Sequence, residues 1–224
     1  MKGKISEVFE SVQGEGLYLG ERQLFVRFFG CNLGRCQFCD TKVGRFREYA
    51  PGELLEELVR YKDGCNFISF TGGEPLLQND FLKEISRLTH ERGFKNYLET
   101  NGTLPDALEE TIDYLDIVAM DLKLPSSTGL NAFWDMHRRF LKIASCKEVF
   151  LKTVICHSTS KDELKEALRL IKEINNSVIL VLQPNSYENG RRMQEKLENF
   201  KEICIRDNII TCVIPQMHEM IGLR

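Results

Sequence analysis

The chain has 224 residues, of which 42% are hydrophobic and 28% charged, enough for one domain with a substantial core and too apolar for a disordered chain. Its 30 Lys and Arg against 33 Asp and Glu leave a net charge of −3, which gives no electrostatic footprint for nucleic acid or an anionic membrane and makes a small molecule the default partner. No run approaches the roughly 20 apolar residues of a membrane span, and MKGKISEVFE lacks the apolar stretch of a signal peptide. The expectation is a cytoplasmic protein whose residues 1–224 form a single domain.

Apolar runs alternate with segments of helical period along the whole chain. Ile5–Glu10 and Gln23–Gly30 read as strands, rich in Val, Ile and Phe. Pro51–Tyr61 reads as a helix with Pro at its start and Leu54, Leu55, Leu58 and Val59 on one face. A strand over Phe67–Thr71 leads to a helix over Phe81–Arg92, with Asn79 and Asp80 as caps and Gly93 as the stop. Strands over Asn96–Thr100 and Ile117–Leu122 precede a helix over Asn131–Ala144. The strand Val149–Ile155 is followed by a helix over Ser160–Asn175, whose Ser160 and Glu163 form a capping box. Val178–Leu182 is a strand, Arg191–Asp207 a helix and Ile209–Ile214 a last strand. This alternation predicts an α/β fold with a parallel sheet and helices outside, and it fits an open doubly wound sheet or a barrel equally.

The distinctive residues fall at one kind of place. GCNLGRCQFCDT follows the strand ending at Gly30, and TGGEP, ETNG, DLKLP and LQPN end later strands. Loops after the C-terminal ends of parallel strands share one mouth, so five loops converge on a single site.

Cys31, Cys36 and Cys39 supply three thiolates from one loop. Their spacing admits a [4Fe–4S] cluster with one open iron, a zinc site lacking its fourth ligand, or plain structural cysteines. His90, His137, His157 and His218 are all distant in sequence, which leaves zinc without a nearby fourth ligand. Cys65, Cys146, Cys156, Cys204 and Cys212 sit in or beside apolar segments and read as small core residues. Gly72 and Gly73 let the backbone come close to a ligand, or simply form a turn. Arg27, inside LFVRFFG, must be paired or face a polar cavity, so an ion pair and an anion clamp both fit it.

A three-Cys loop after one strand and GGEP after the next resemble the radical S-adenosylmethionine (SAM) superfamily. VQGEG at 12–16, CDT at 39–41, TGGEP, ETNG, DLKLPSS, LQPN and PQMHEMIG at 215–222, in that order, resemble the 7-carboxy-7-deazaguanine synthase family of the queuosine pathway. One departure is visible: four residues separate Cys31 from Cys36 where the superfamily usually has three, and Gly34 is the residue able to absorb the extra one.

The resemblance implies a partial (β/α)6 TIM-type barrel. It implies that Cys31, Cys36 and Cys39 hold a [4Fe–4S] cluster whose open iron takes SAM, with Phe38, Cys39, Asp40, Gly73, Lys123 and Gln183 around SAM. Val12, Gln13, Gly14, Arg27 and Thr71 would hold the substrate, assisted by Glu15, and the Thr41 hydroxyl would join substrate oxygens on Mg²⁺. Outside the resemblance, Lys123 and Thr41 read as an ordinary surface lysine and loop hydroxyl, and His218 as a packed or surface histidine. The implied reaction is radical conversion of 6-carboxy-5,6,7,8-tetrahydropterin to 7-carboxy-7-deazaguanine, with a flavodoxin- or ferredoxin-type reductant and a homodimeric assembly. Its rivals are a glycyl-radical activating enzyme, which shares the Cys loop and GGEP, and a zinc or iron–sulfur carrier module that leaves SAM uncleaved.

Overall fold

The structure, a computed structural model, describes residues 1–34, 36, 44–61, 64–188 and 190–217. Its strands are β1 (Gly3–Val12), β2 (Arg22–Phe28), β3 (Arg47–Tyr49), β4 (Phe67–Gly72), β5 (Lys95–Thr100), β6 (Ile117–Asp121), β7 (Glu148–Ile155), β8 (Leu180–Pro184) and β9 (Thr211–Val213). They form one sheet in the order β3-β1-β2-β4-β5-β6-β7-β8-β9. The parallel run begins at β2 and continues to β9, whereas β1 is antiparallel to both β2 and β3. The expected strand–helix alternation therefore does not reach the first strand. A parallel partner needs a crossover of about a dozen residues or more, and the connection 13–21 is too short for one.

The helices are α1 (Pro51–Val59), α2 (Asn79–Glu91), α3 (Pro105–Thr111), α4 (Pro125–Thr128), α5 (Trp134–Ala144), α6 (Lys161–Ile174) and α7 (Arg191–Arg206). Ser160 and Glu163 cap α6 reciprocally, as the sequence predicts: Glu163 N donates to Ser160 Oγ and Ser160 N to Glu163 Oε2. Asn79 is not a cap. A 3₁₀ turn over Pro75–Gln78 feeds straight into α2, so Asn79 lies inside the helix, where its side chain bridges to Thr111 and Glu110. Among the scattered cysteines, Cys65, Cys156 and Cys204 are buried as expected and Cys212 partly so. Cys146 is exposed, because it sits in the turn that leaves α5 rather than on a packed face.

The helices cover one face of the sheet. Leu24, Val26, Ile68, Leu98, Val118, Leu151 and Leu180 point into that layer and meet Leu54, Leu82, Leu141, Leu168 and Phe200 from the helices. Side chains alternate along a strand, so the intervening residues share the opposite face. There Tyr97, Ile117, Ala119, Phe150 and Val181 form a second apolar cluster.

The β1–β2 connection shows how the sheet is curved. Gln13 reaches Glu99 on β5, Glu15 reaches Lys152 on β7, and Gly14 O accepts from Met217 N beyond β9. Five strand spacings separate β1 from β7, about 24 Å across a flat sheet, whereas the three residues from Val12 to Glu15 span about 10 Å. The sheet therefore curls around this loop. The result is a partial barrel of the TIM type, with helices outside and loop 13–21 across its concave inside.

Candidate active site

Two strand-end loops meet where β2 and β4 finish. Gly73 N donates to Phe28 O and Glu74 N to Gly30 O, laying the GGEP backbone against the chain that enters the cysteine loop. A Cβ on Gly73 would lie 1.9 Å from Gly30 O, so any side chain there would push Cys31 out of place. The glycine is thus required by contact between the two loops. Cys31 is partly exposed and Cys36 is buried beside Val154 and Cys156, with Leu33 packed on them. Gly34 has φ +70° with open space where a Cβ would point, a left-handed backbone that glycine adopts without strain. Phe38, Cys39, Asp40, Thr41 and His218 lie outside the described residues.

The concave face changes character along each strand. Tyr97, Ala119, Phe150 and Val181 belong to its apolar floor, and the residues two positions further on are Glu99, Asp121, Lys152 and Gln183. Glu99 gathers three donors: Gln13 Nε2 at 2.8 Å, Ser69 Oγ at 3.2 Å and Thr71 Oγ1 at 3.0 Å. Lys152 pairs with Glu15 at 2.5 Å, both nearly buried. Burial pulls the ammonium down, but Glu15, Asp121 and Glu99 outweigh it and hold the pKa above that of a free lysine. Lys123 pairs with Asp121 at 2.7 Å; there too the carboxylate overcomes burial and raises the pKa.

Gln183 is 1% exposed, and neither its Oε1 nor Asp121 Oδ1 has a hydrogen-bond partner among the described residues. A buried acceptor left unpaired costs about 1–3 kcal/mol, so both atoms mark places where a ligand's donor belongs. Arg27 lies beside Thr71 in the β2–β4 register, and its Nε donates to Glu7 at 3.2 Å, with the guanidinium over Phe9. That ion pair is half open to solvent, so little free energy holds Arg27 to Glu7.

In the loops after β4 and β5, Glu74 is fully buried and accepts from Thr100 Oγ1, Asn101 N and Leu76 N. Burial pushes its carboxyl up to about 7 against those hydrogen bonds. His137 is also fully buried and burial lowers it to about 4; its Nε2 sits 3.2 Å from Asn101 O, which fixes the neutral Nε2–H tautomer.

Of the residues singled out in the sequence, Gln13, Thr71, Gly73, Lys123 and Gln183 come together around this mouth. Lys123 is no surface lysine. Glu99 and Asp121 open the ETNG and DLKLP motifs but have no role of their own in the sequence reading, and Lys152 belongs to no motif, although it too carries a signal. Lys152 stands inside the apolar run VFLKTVI as Arg27 stands inside LFVRFFG, and the same reasoning applies to both.

The pattern of the radical SAM superfamily matches residues 25–189. A 7-carboxy-7-deazaguanine synthase of Geobacter sulfurreducens is 36% identical, covering 98% of this chain and 97% of its own length. One from Archaeoglobus fulgidus is 34% identical over the whole of both chains. The chain belongs to the 7-carboxy-7-deazaguanine synthase family. The crystal structure of QueE from Escherichia coli, at 20% identity, shares the fold with a TM-score of 0.67, covering 95% of this chain and 93% of that one.

Membership of the radical SAM superfamily brings a [4Fe–4S] cluster and SAM to such a chain. The described donors fit them. Cys31 and Cys36 are soft ligands suited to iron, Asn101 Nδ2 lies 4.0 Å from Cys31 Sγ, and the side-chain-free Gly73 abuts the loop that carries both cysteines. The orphaned acceptors of Gln183 and Asp121 suit a ligand rich in N–H and O–H donors.

Proposed function

We propose that this chain converts 6-carboxy-5,6,7,8-tetrahydropterin to 7-carboxy-7-deazaguanine with loss of ammonia. The observation that carries the reading is end-to-end identity with curated synthases in a chain whose mouth turns polar on every central strand. The cluster and SAM, when bound, supply the one-electron chemistry that starts hydrogen removal from the substrate. The chain's own residues bind, orient and exclude water. Cys31, Cys36 and Cys39 would hold the cluster through their thiolates. Phe38, Asp40, Gly73, Lys123 and Gln183 line the SAM side.

Val12, Gln13, Gly14, Arg27 and Thr71 hold the substrate, and the Arg27 fork suits its carboxylate once released from Glu7. Glu99, held by Gln13 and Thr71, offers carboxylate oxygens to a pterin N–H edge. Thr41 shares Mg²⁺ with substrate oxygens. Loop 13–21 and Gln216, which lies 3.5 Å from Glu15, close the inner side against water. Residues 1–224 act as one unit in a homodimer, fed by a flavodoxin- or ferredoxin-type reductant.

The test is anaerobic turnover of the reconstituted enzyme with dithionite, SAM and the carboxytetrahydropterin. One ammonia per deazaguanine is expected. SAM cleavage by an intact cluster with no deazaguanine formed sinks the substrate assignment and leaves the radical SAM assignment standing.

A further inference from the structure

The residue after the first cysteine is tied into a closed ring of hydrogen bonds. Asn101 Nδ2 donates to Asn32 Oδ1 at 2.9 Å, Asn32 Nδ2 donates to Thr103 Oγ1 at 2.8 Å, and Thr103 Oγ1 donates to Asn101 Oδ1 at 2.6 Å. The direction of this ring is fixed. Asn101 Oδ1 also accepts from the backbone N of Thr103 at 3.0 Å, and a backbone N–H can only donate. Asn101 therefore presents its NH₂ group, not its carbonyl, to Asn32 and to Cys31, whose Sγ is 4.0 Å away.

Asn101 is itself held from both sides. Its N donates to the buried Glu74 carboxyl at 2.8 Å, and its O faces His137 Nε2 at 3.2 Å. Asn101 and Thr103 are each about 5% exposed. A buried side chain with its backbone pinned and its amide satisfied on both ends is rigid. The rigid partner of the cysteine loop is thus the ETNG turn after β5. It grips the loop one residue past Cys31, ahead of the left-handed backbone at Gly34.

We infer that Asn101 is the positioning residue for the first cluster ligand: through Asn32 it fixes the placement of Cys31, and it directs an amide N–H at the Cys31 thiolate. This rests on Cys31 being a cluster ligand, as proposed above. Hydrogen bonds to a ligating sulfur disperse its negative charge and raise a cluster's reduction potential. Asn101 therefore sets how readily the cluster accepts its electron.

The test is the midpoint potential of the reconstituted cluster without SAM, followed by EPR in a mediated titration, alongside iron content. Asn101→Ala removes the N–H and is expected to move the potential negative. Asn101→Asp also places a negative charge beside Cys31 and should move it further. Thr103→Ser keeps the ring hydroxyl and should titrate with the wild type. Thr103→Val breaks the ring without altering Asn101, and should shift the potential in the same direction by less than Asn101→Ala.

Wild-type potentials in Asn101→Ala and Asn101→Asp overturn the inference, and so does a loss of iron content with the remaining clusters titrating normally. If neither Asn101 variant loads a cluster, Thr103→Val decides alone, and an unshifted potential there overturns it equally. Cys31→Ala separates the two readings: a full four-iron cluster in that variant defeats the ligand assignment itself, independent of the Asn101 result.

Discussion

The floor and the mouth of the barrel are built from the same strands, on the same face, two residues apart. Tyr97, Ala119, Phe150 and Val181 make the floor; Glu99, Asp121, Lys152 and Gln183 make the mouth. Two residues are one repeat of the pleat, about 6.6 Å of rise. Over that distance the environment turns from a packed apolar cluster to a set of buried charges. The floor needs only volume and hydrophobicity, and it supplies the rigid base. The mouth spends stability to hold Lys152, Glu15, Asp121 and Lys123 charged beneath the strand ends.

Breaking the Lys152–Glu15 pair tests this contrast most severely. Lys152→Met leaves Glu15 buried and unpaired, and a loss of about 3–5 kcal/mol is expected in urea unfolding of the apoprotein. Adding Glu15→Gln should recover most of that loss, while turnover is expected to be low in both variants because the charged pair at the mouth is gone. A double variant no more stable than the single one breaks the idea that the pair is retained for the site. Phe150→Ala in the floor should cost a similar 3–5 kcal/mol through its cavity, with no second-site rescue from Glu15→Gln.

Stability against pH sharpens the comparison at a second place, around the loops after β4 and β5. Between pH 4.5 and about 7, native Glu74 keeps a proton that the unfolded chain releases, so its contribution falls as pH rises. Between about 4 and 6.5, unfolded His137 holds a proton that the native residue does not, so its contribution grows as pH rises. The slopes oppose each other from pH 4.5 to 6.5. His137→Gln should leave a protein that loses stability as pH rises through this window, and Glu74→Gln one that gains it, each by up to roughly 3 kcal/mol. Matching slopes for wild type and both variants in chemical denaturation at stepped pH defeat this account.

The smallest effect on stability is expected for Arg27→Ala, within about 1 kcal/mol, because its partner Glu7 is half exposed. Turnover should nevertheless fall by more than about 100-fold if the fork holds the substrate carboxylate. Steady-state kinetics beside an unfolding curve separate the two. Full activity in Arg27→Ala returns the residue to a purely structural role.

Most strands were legible because Val, Ile, Leu and Phe gather in short runs bounded by Gly, Pro, Asn and Asp. β3 was not, since Arg47–Tyr49 is three residues long with two of them exposed, too short to show a period. α3 has no counterpart among the predicted helices: it is seven residues long, Pro105–Thr111, too short to show a helical period. The orientation of β1 was not legible, because the predicted strands Ile5–Glu10 and Gln23–Gly30 leave a gap of a dozen residues and only the observed ends at Val12 and Arg22 make the connection too short for a crossover. In the site, motif residues such as Thr71, Gly73 and Lys123 could be found one by one. The partnerships could not, because Gln13 with Glu99 and Glu15 with Lys152 join positions 86 and 137 apart in the chain. Only the curvature of the sheet brings them together.

The bond between Gly14 and Met217 and the approach of Gln216 to Glu15, 201 positions apart, carry a consequence for how the molecule is made. The loop that lines the inside is synthesised well ahead of Gln216 and Met217, which come to lie against it. Contacts of such long sequence separation form late, since the chain must close a large loop before they contribute. Until then Glu15 lacks Lys152, and the cysteine loop faces a half-built wall. The concave site therefore assembles late in folding, and a nascent chain carries Cys36 unsheltered until Val154 and Cys156 at the end of β7 have been laid down.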